Sequence, residues 1–532
     1  MDCVIINADI RTMADPPEPA RADAVLIIGK WITFVGQTEL VRAMAGKNAK
    51  VIDAEGRLLL PGFNDAHVHF MDGGFSLANV SLRDADSPQE FSRRIAAHAQ
   101  NLSAGKWITG GEWDHEQWPG APLPSSDWID CITPEHPVFV SRSDGHMALA
   151  NSLALKLAGI GKRITDIPGG LIVRDASGDP TGLLKDAAMN AVFRVMPKPD
   201  DRERTLAARR ATDYAASLGV TSVHDILAGD DVGLYHQLAQ AEQLKTRIYG
   251  FYPIAKWEDT ARQRDWFRDP TGLVRIGGVK GFTDGSLGSG TAWFFGAYAD
   301  DPENFGLPGE GMFPEGAMLK RVVEADKRCL QAALHAIGDR ANFEALEIFR
   351  NVAERNGIRE RRFRIEHAQH LRTSEIPRFA RQHVIASVQP YHAVDDGRWC
   401  EPRLGPNRLA GTYAFRSLLD AGATVALGTD WTVAPLNPML TIAAAVTRST
   451  LDGKNPNGWL SGEKIRVEEA VRAYTMGSAF AEFAESDKGS IVPHKFADLV
   501  LLDRNIFEIP PSEISHARIS MTMVGGEVVF EM

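Results

Sequence analysis

Residues 61–70 read PGFNDAHVHF, the end of an apolar run that enters from Leu58, Leu59 and Leu60 and finishes on two histidines separated by one residue. Alternate residues of a strand face the same way. His67 and His69 would therefore present both imidazoles on one side at the strand's carboxyl end, a geometry for gripping one cation. Taken alone, the pair does not separate a metal grip from an ordinary half-exposed strand. The rest of the chain has to decide.

Working outward, short β-rich runs alternate with helical stretches between about Pro61 and Ala484, the pattern of a parallel α/β fold. The candidate core strands are LLLPGFNDAHVHF (58–70), GVTSVHDI (219–226), RIYGFYPI (247–254), IGGVKGFTD (276–284), QAALHAIGD (331–339), RFRIEHAQ (362–369), HVIASVQPYH (383–392) and TVALGTDW (424–431). Eight is the number that a (β/α)8 barrel needs, and RVVEADKRCLQAA and NFEALEIFRNVAERNG fall between strands as helices. An open doubly wound sheet is the competing architecture. The stretch 72–205 is too long for a βα loop and holds β-like elements of its own, WITGGEWD, PVFVSRSDGH and the hairpin-like LIVRDASGDPTGLL. It reads as an insertion after the first core strand, lying over the face where barrel enzymes place their chemistry.

Both ends of the chain are β-rich: CVIINADI, AVLIIGKWITFVG and KVIDAEGRLLLPG at the start, ADLVLLD, ISMTMV and EVVF at the finish. Gly525-Gly526 between the last two runs predicts a tight hairpin. The ends form either two separate caps or one small β domain.

Composition excludes several classes. With 532 residues, 44% hydrophobic and 24% charged, the chain is an ordinary globular protein with room for a large core and a second unit. A net charge of -11 without a basic cluster argues against nucleic acid and anionic membrane partners. Cys3, Cys131, Cys329 and Cys400 are far apart and form no CxxC pair, so neither a disulfide framework nor a thiolate zinc site is expected. The start, MDCVIINADIRTM, lacks the basic and apolar regions of a signal peptide, and no run reaches membrane-spanning length. The expected location is the cytoplasm.

The core strands end on residues able to bind a divalent cation: His67, His69, Lys280, His335, His367 and Asp430. Side chains at the carboxyl ends of barrel strands converge on one small volume, so residues hundreds of positions apart can meet around metal. Four histidines and an aspartate at equivalent strand ends are hard to assign to packing.

The motifs PGFNDAHVHF, GGEWDHEQW, SRSDGHMALANS, VKGFTDGSLGS, LHAIGDRA, RIEHAQHL, SVQPYHA and LGTDW together resemble the amidohydrolase superfamily. The likeness is to its amidohydrolase 3 group of YtcJ-like proteins and N-substituted formamide deformylases, near the plant light-signalling relatives. The resemblance spans nearly the whole chain. It implies a barrel over 61–484 with the insertion 72–205, and a β-sandwich built from 1–60 and 485–532. It also implies that His67, His69 and Asp430 hold one ion, that a carboxylated Lys280 bridges, and that His335 and His367 hold a second. Two zinc ions per chain are expected, with manganese or iron as alternatives.

The implied reaction is hydrolysis of a C–N bond, amide or N-substituted formamide, in a small molecule by metal-bound hydroxide. Asp430 would take the proton from water and pass it to the leaving nitrogen. His146 and His392 are candidates for holding the substrate carbonyl or its developing charge. Trp113, with Trp118, would either wall a substrate pocket or fill the insertion's core. Where many relatives continue DGSLGS with arginine, this chain has Gly290, which argues against carrying over a relative's substrate. Other readings keep the enzyme and change the bond, to a cyclic amide, an N-acyl amino acid or a carbamate, or keep only the barrel as a non-catalytic regulatory protein. A homodimer is compatible with the sequence.

Overall fold

The computed structural model describes residues 2–14, 22–227 and 229–532; residues 1 and 15–21 of the amino-terminal unit lie outside it. Its centre is a sheet of eight parallel strands: β1 (Phe63–Val68), β2 (Val220–Ile226), β3 (Arg247–Pro253), β4 (Val274–Phe282), β5 (Gln331–Ala336), β6 (Arg364–His367), β7 (Ile385–Val388) and β8 (Val425–Leu427). Each strand pairs with the next in chain order. Beyond β8 the chain closes on β1: Asp430 N–H donates to the His67 carbonyl at 2.7 Å and His69 N–H to the Trp431 carbonyl at 2.6 Å. The result is a nearly closed (β/α)8 barrel, and the open sheet is excluded. Helices such as Val232–Gln240, Trp257–Trp266, Ala317–Lys327 and Asp339–Asn356 return the chain between strands and bury the outer faces, which is why the strands read as near-continuous apolar runs.

The first of the expected strands divides at Gly62. Leu58–Pro61 joins another sheet, and only Phe63–Val68 enters the barrel. A Cβ at Gly62 would lie 2.2 Å from Thr221 Oγ1, so a residue without a side chain lets the chain cross from one sheet to the other against β2.

That other sheet holds five strands, Asp9–Ile10, Leu58–Pro61, Leu499–Leu502, Ile519–Val524 and Glu527–Glu531, and faces a four-stranded sheet of Asp2–Ile6, Ala24–Ile28, Trp31–Gly36 and Lys50–Asp53. Leu59, Leu499, Leu501, Met521 and Met523 pack with Cys3, Ile5, Val25, Ile27 and Ile32 of the facing sheet, giving one small β-sandwich made from both ends of the chain. Leu58, Leu60, Val500 and Leu502, the alternate positions, belong to the main core instead. Both faces are therefore covered, and this explains the unbroken LLL run. Gly525 and Gly526 (φ 56° and 80°) make the predicted two-residue turn.

After β1 a six-stranded sheet stands outside the barrel, in the order 170–174, 180–186, 147–150, 139–142, 110–113, 80–81. The expected hairpin 171–184 is present as the antiparallel pair Gly170–Arg174 and Pro180–Asp186. Phe91, Trp113, Trp118, Val140 and Leu149 form this sheet's own core. Among the described residues no helix is long and apolar enough to cross a membrane.

Candidate active site

The carboxyl ends of the barrel strands and the inner edge of the insertion enclose a cavity of about 420 Å³. Its lining includes His67, His69, Lys280, His335, His367 and Asp430, all six residues expected to hold metal. Asp430 is the hub. Its Oδ1 lies 3.6 Å from His67 Nε2 and 3.4 Å from His69 Nε2, and its Oδ2 lies 3.8 Å from His367 Nδ1. The His335 and His367 ring centroids are 4.6 Å apart, and those of His67 and His367 4.9 Å. Ligand atoms of His67, His367 and Asp430 all lie within 4.8 Å of one another, a tight trio that draws on both of the expected ion sites.

Hydrogen bonds behind the histidines decide which nitrogen each one offers. His67 donates from Nδ1 to Glu366 at 2.6 Å, leaving Nε2 toward the cavity. His367 donates from Nδ1 to Gln389 Oε1 at 2.8 Å, which likewise leaves Nε2. His335 donates from Nε2 to the Gly285 carbonyl at 3.0 Å and keeps Nδ1. Carboxylates and carbonyls in this position fix the tautomer of a ligating imidazole.

Electrostatics favour the ligand forms of three of the four histidines; at His69 burial is outweighed by Asp430, which raises the imidazole above its usual range. Burial, reinforced by Lys280, pushes the His67 imidazole down to about 4, and burial holds His335 and His367 well below the usual range. All three are neutral near pH 7, as metal binding requires. Burial opposes the charge on Asp430, yet His67 and its neighbours hold that carboxyl well below the usual range. Burial also lowers Lys280 to about 8. Among the described residues, His67 Nε2, Asp430 Oδ1 and Lys280 Nζ are buried without a hydrogen-bond partner. Orphaned polar atoms of this kind are costly unless something else satisfies them. Two imidazoles and a carboxylate are a donor set that suits a divalent cation of the zinc type.

His146 and His392 both reach the cavity. His392 accepts from Gln369 Nε2 at Nδ1 (3.3 Å) and points Nε2 to within 3.9 Å of Asp430 Oδ2. His146 comes from the insertion, its ring centroid 5.0 Å from that of His335. Trp113 goes elsewhere: it is fully buried in the insertion's core, its Nε1 donates to the Val140 carbonyl at 2.9 Å, and it is absent from the described residues that line the cavity. Gly290 has φ 69°, a conformation suited to glycine, and a Cβ there would lie 3.4 Å from Asn304 Nδ2 and 3.9 Å from Arg403 Nη1; neither Gly290 nor Arg403 is among the described residues that line the cavity.

Several residues went unseen in the sequence. Glu366 and Gln389 orient ligands, and Asp65 ties the seam by accepting from the N–H groups of His67 (3.1 Å) and Thr429 (2.9 Å) and from the Tyr474 hydroxyl (2.6 Å). The one local signal was the Arg-Ile-Glu-His order of 364–367, which puts Arg364 and Glu366 on the same side of β6.

The sequence model described as "Amidohydrolase family" matches residues 50–530 of this chain. The protein LONG AFTER FAR-RED 3 of Arabidopsis thaliana is 40% identical over 99% of this chain and 91% of its own. N-substituted formamide deformylase of Arthrobacter pascens is 29% identical over 100% of this chain and 98% of its own. Among solved structures, an uncharacterized metal-dependent hydrolase of Pyrococcus horikoshii OT3 superposes with a TM-score of 0.77 at 25% identity, covering 96% of this chain and 99% of that one. These likenesses, with the cavity's donor set, support a metal-dependent hydrolase.

Proposed function

The chain belongs to the amidohydrolase family, and from that premise we propose that it hydrolyses a carbon–nitrogen bond other than a peptide bond, of N-substituted amide or formamide type, in a small molecule. The observation that carries this reading is the convergence of the unpartnered atoms His67 Nε2, Asp430 Oδ1 and Lys280 Nζ on the floor of one cavity.

His67, His69 and Asp430 would hold one ion and His335 and His367 a second, with Lys280 as a carboxylated bridge; zinc is the expected metal. A divalent cation held there supplies a Lewis acid for the carbonyl and makes water more acidic. The remaining steps fall to side chains. Asp430 accepts the proton of the attacking water and returns it to the leaving nitrogen, which departs poorly unless protonated. His392, whose Nδ1 accepts from Gln369, carries its proton on Nε2 and donates it as a hydrogen bond to the carbonyl oxygen as charge develops. His146 faces the same oxygen from the insertion side and donates to it from Nε2 when its ring is an imidazolium. An N-acyl amino acid is a weaker candidate. Its carboxylate would need a free cation, and Arg142 on the cavity wall is already engaged by Asp114 at 2.7 Å and Asp144 at 2.6 Å.

The test is metal per chain by elemental mass spectrometry on protein prepared without chelator and with bicarbonate, followed by a panel of N-substituted formamides and amides scored for released amine. About two ions per chain and amine release are expected. About one ion would remove the bridging role of Lys280. Absence of metal even after zinc or manganese is added would sink the hydrolytic reading and favour a non-catalytic barrel.

A further inference from the structure

Behind His146 stands a carboxylate with no part in the mechanism above. His146 Nδ1 lies 2.6 Å from Asp186 Oδ1, and the Asp186 N–H donates to the His146 carbonyl at 3.0 Å. Sheet register brings the two together. His146 immediately precedes the strand Met147–Ala150, Asp186 ends the antiparallel strand Pro180–Asp186, and Met147 sits opposite Lys185.

Three features show that the pairing is built rather than incidental. Asp186 has φ 47°, ψ -125°, a sparsely populated backbone conformation for a residue with a side chain, one that persists only where its surroundings over-determine it. The loop after β4 is cut away to admit it: a Cβ at Gly285 would lie 2.8 Å from Asp186 Oδ1 and 2.0 Å from Thr291 Oγ1. The Gly285 carbonyl in turn accepts from His335, so the same turn seats the carboxylate and orients a barrel histidine.

The placement also limits what Asp186 can do. His146 is among the described residues that line the cavity and Asp186 is not, and Asp186 Oδ2 is buried without a hydrogen-bond partner among the described residues. A carboxylate that meets an imidazole from behind and has no access to substrate acts through that ring. We propose that Asp186 is the positioning residue of His146: by accepting Nδ1–H it fixes the ring and leaves Nε2 as the atom presented to the substrate. The inference rests on the hydrolytic reading of the cavity.

Its test has a readout that does not depend on turnover. Full-length, zinc-loaded protein labelled with 15N-histidine is compared with the His146→Gln variant, which identifies the His146 ring signals. In the wild type the Nδ1 proton should be present and protected from exchange; in Asp186→Ala that protection should be lost, and in Asp186→Glu recovered, with zinc per chain unchanged. On any amide that the wild type cleaves, Asp186→Ala should lower kcat about 10–100-fold with KM changed by less than about threefold. A wild-type His146 protonated on Nε2 alone, or an Asp186→Ala variant that keeps a protected Nδ1 proton, would overturn the proposal. If Asp186→Ala does not fold, the wild-type proton position decides. If the wild type cleaves no amide, the hydrolytic reading fails while the ring measurement still reports on Asp186.

Discussion

Glu366 Oε2 sits 2.6 Å from His67 Nδ1, and Arg364 binds the same carboxylate through Nε at 2.7 Å and Nη2 at 3.1 Å. Arg364 Nη1 continues to His224 Nδ1 at 2.6 Å, His224 Nε2 lies 3.3 Å from Glu482, and Lys488 Nζ meets Glu482 at 2.6 Å. His67 is thus the upper end of a buried polar column inside the barrel. Burial opposes the charge of Glu366, but Arg364 and His67 hold its carboxyl well below the usual range, so it stays an acceptor near neutral pH.

Removing that acceptor should loosen the metal. Glu366→Ala is expected to weaken zinc binding about 10–100-fold, measured by competition with a chelator of known affinity. Affinity equal to wild type would show that His67 needs no orienting partner.

Asp430 and His67 should fail in different ways. Asp430→Asn is expected to keep bound metal and to lose about 100–10,000-fold in kcat, because the proton shuttle is gone. His67→Ala should lose both metal and turnover. Full activity in Asp430→Asn with metal bound would rule out the shuttle.

Lys280 sets a pH dependence. Burial lowers its ammonium to about 8, and only the neutral amine takes up carbon dioxide. With the folded value below that of a free lysine, the amine form grows as pH rises through about 8. Carbamate in metal-free protein, followed with 13C-bicarbonate, should therefore increase between about pH 7 and about pH 9. A flat profile would mean that the lysine carries no carbamate under these conditions.

Trp113 is a stability residue by position. Trp113→Ala should destabilise the protein by about 3–5 kcal/mol in urea unfolding, and the milder Trp113→Phe should leave KM near the wild-type value. A large rise in KM for Trp113→Phe, with stability little changed, would return this side chain to the substrate wall.

The barrel was legible because its eight strands read as short apolar runs, five of which end at or close to a residue able to bind a cation. The metal-site residues share that strand-end position, so they too stood out in the sequence. What escaped has a nonlocal cause. Gly62 breaks the first run because Thr221, far along the chain, presses on it. Glu366 meets His67 from 299 positions away, and Asp186 meets His146 across 40 residues of insertion. Each pairing is a product of register and closure, which no single segment encodes.

The sandwich that joins both ends of the chain also orders events during synthesis. Leu58–Pro61 has Asp9–Ile10 on one side but must wait for Leu499–Leu502 to leave the ribosome before its second sheet partner exists. At roughly 5–20 residues per second that interval is on the order of half a minute to a minute and a half. During it the strand edge that Leu499–Leu502 will cover stays unpaired. The nascent chain exposes an adhesive edge through most of its own translation, so its yield in a cell should depend on the holding chaperones that meet it there.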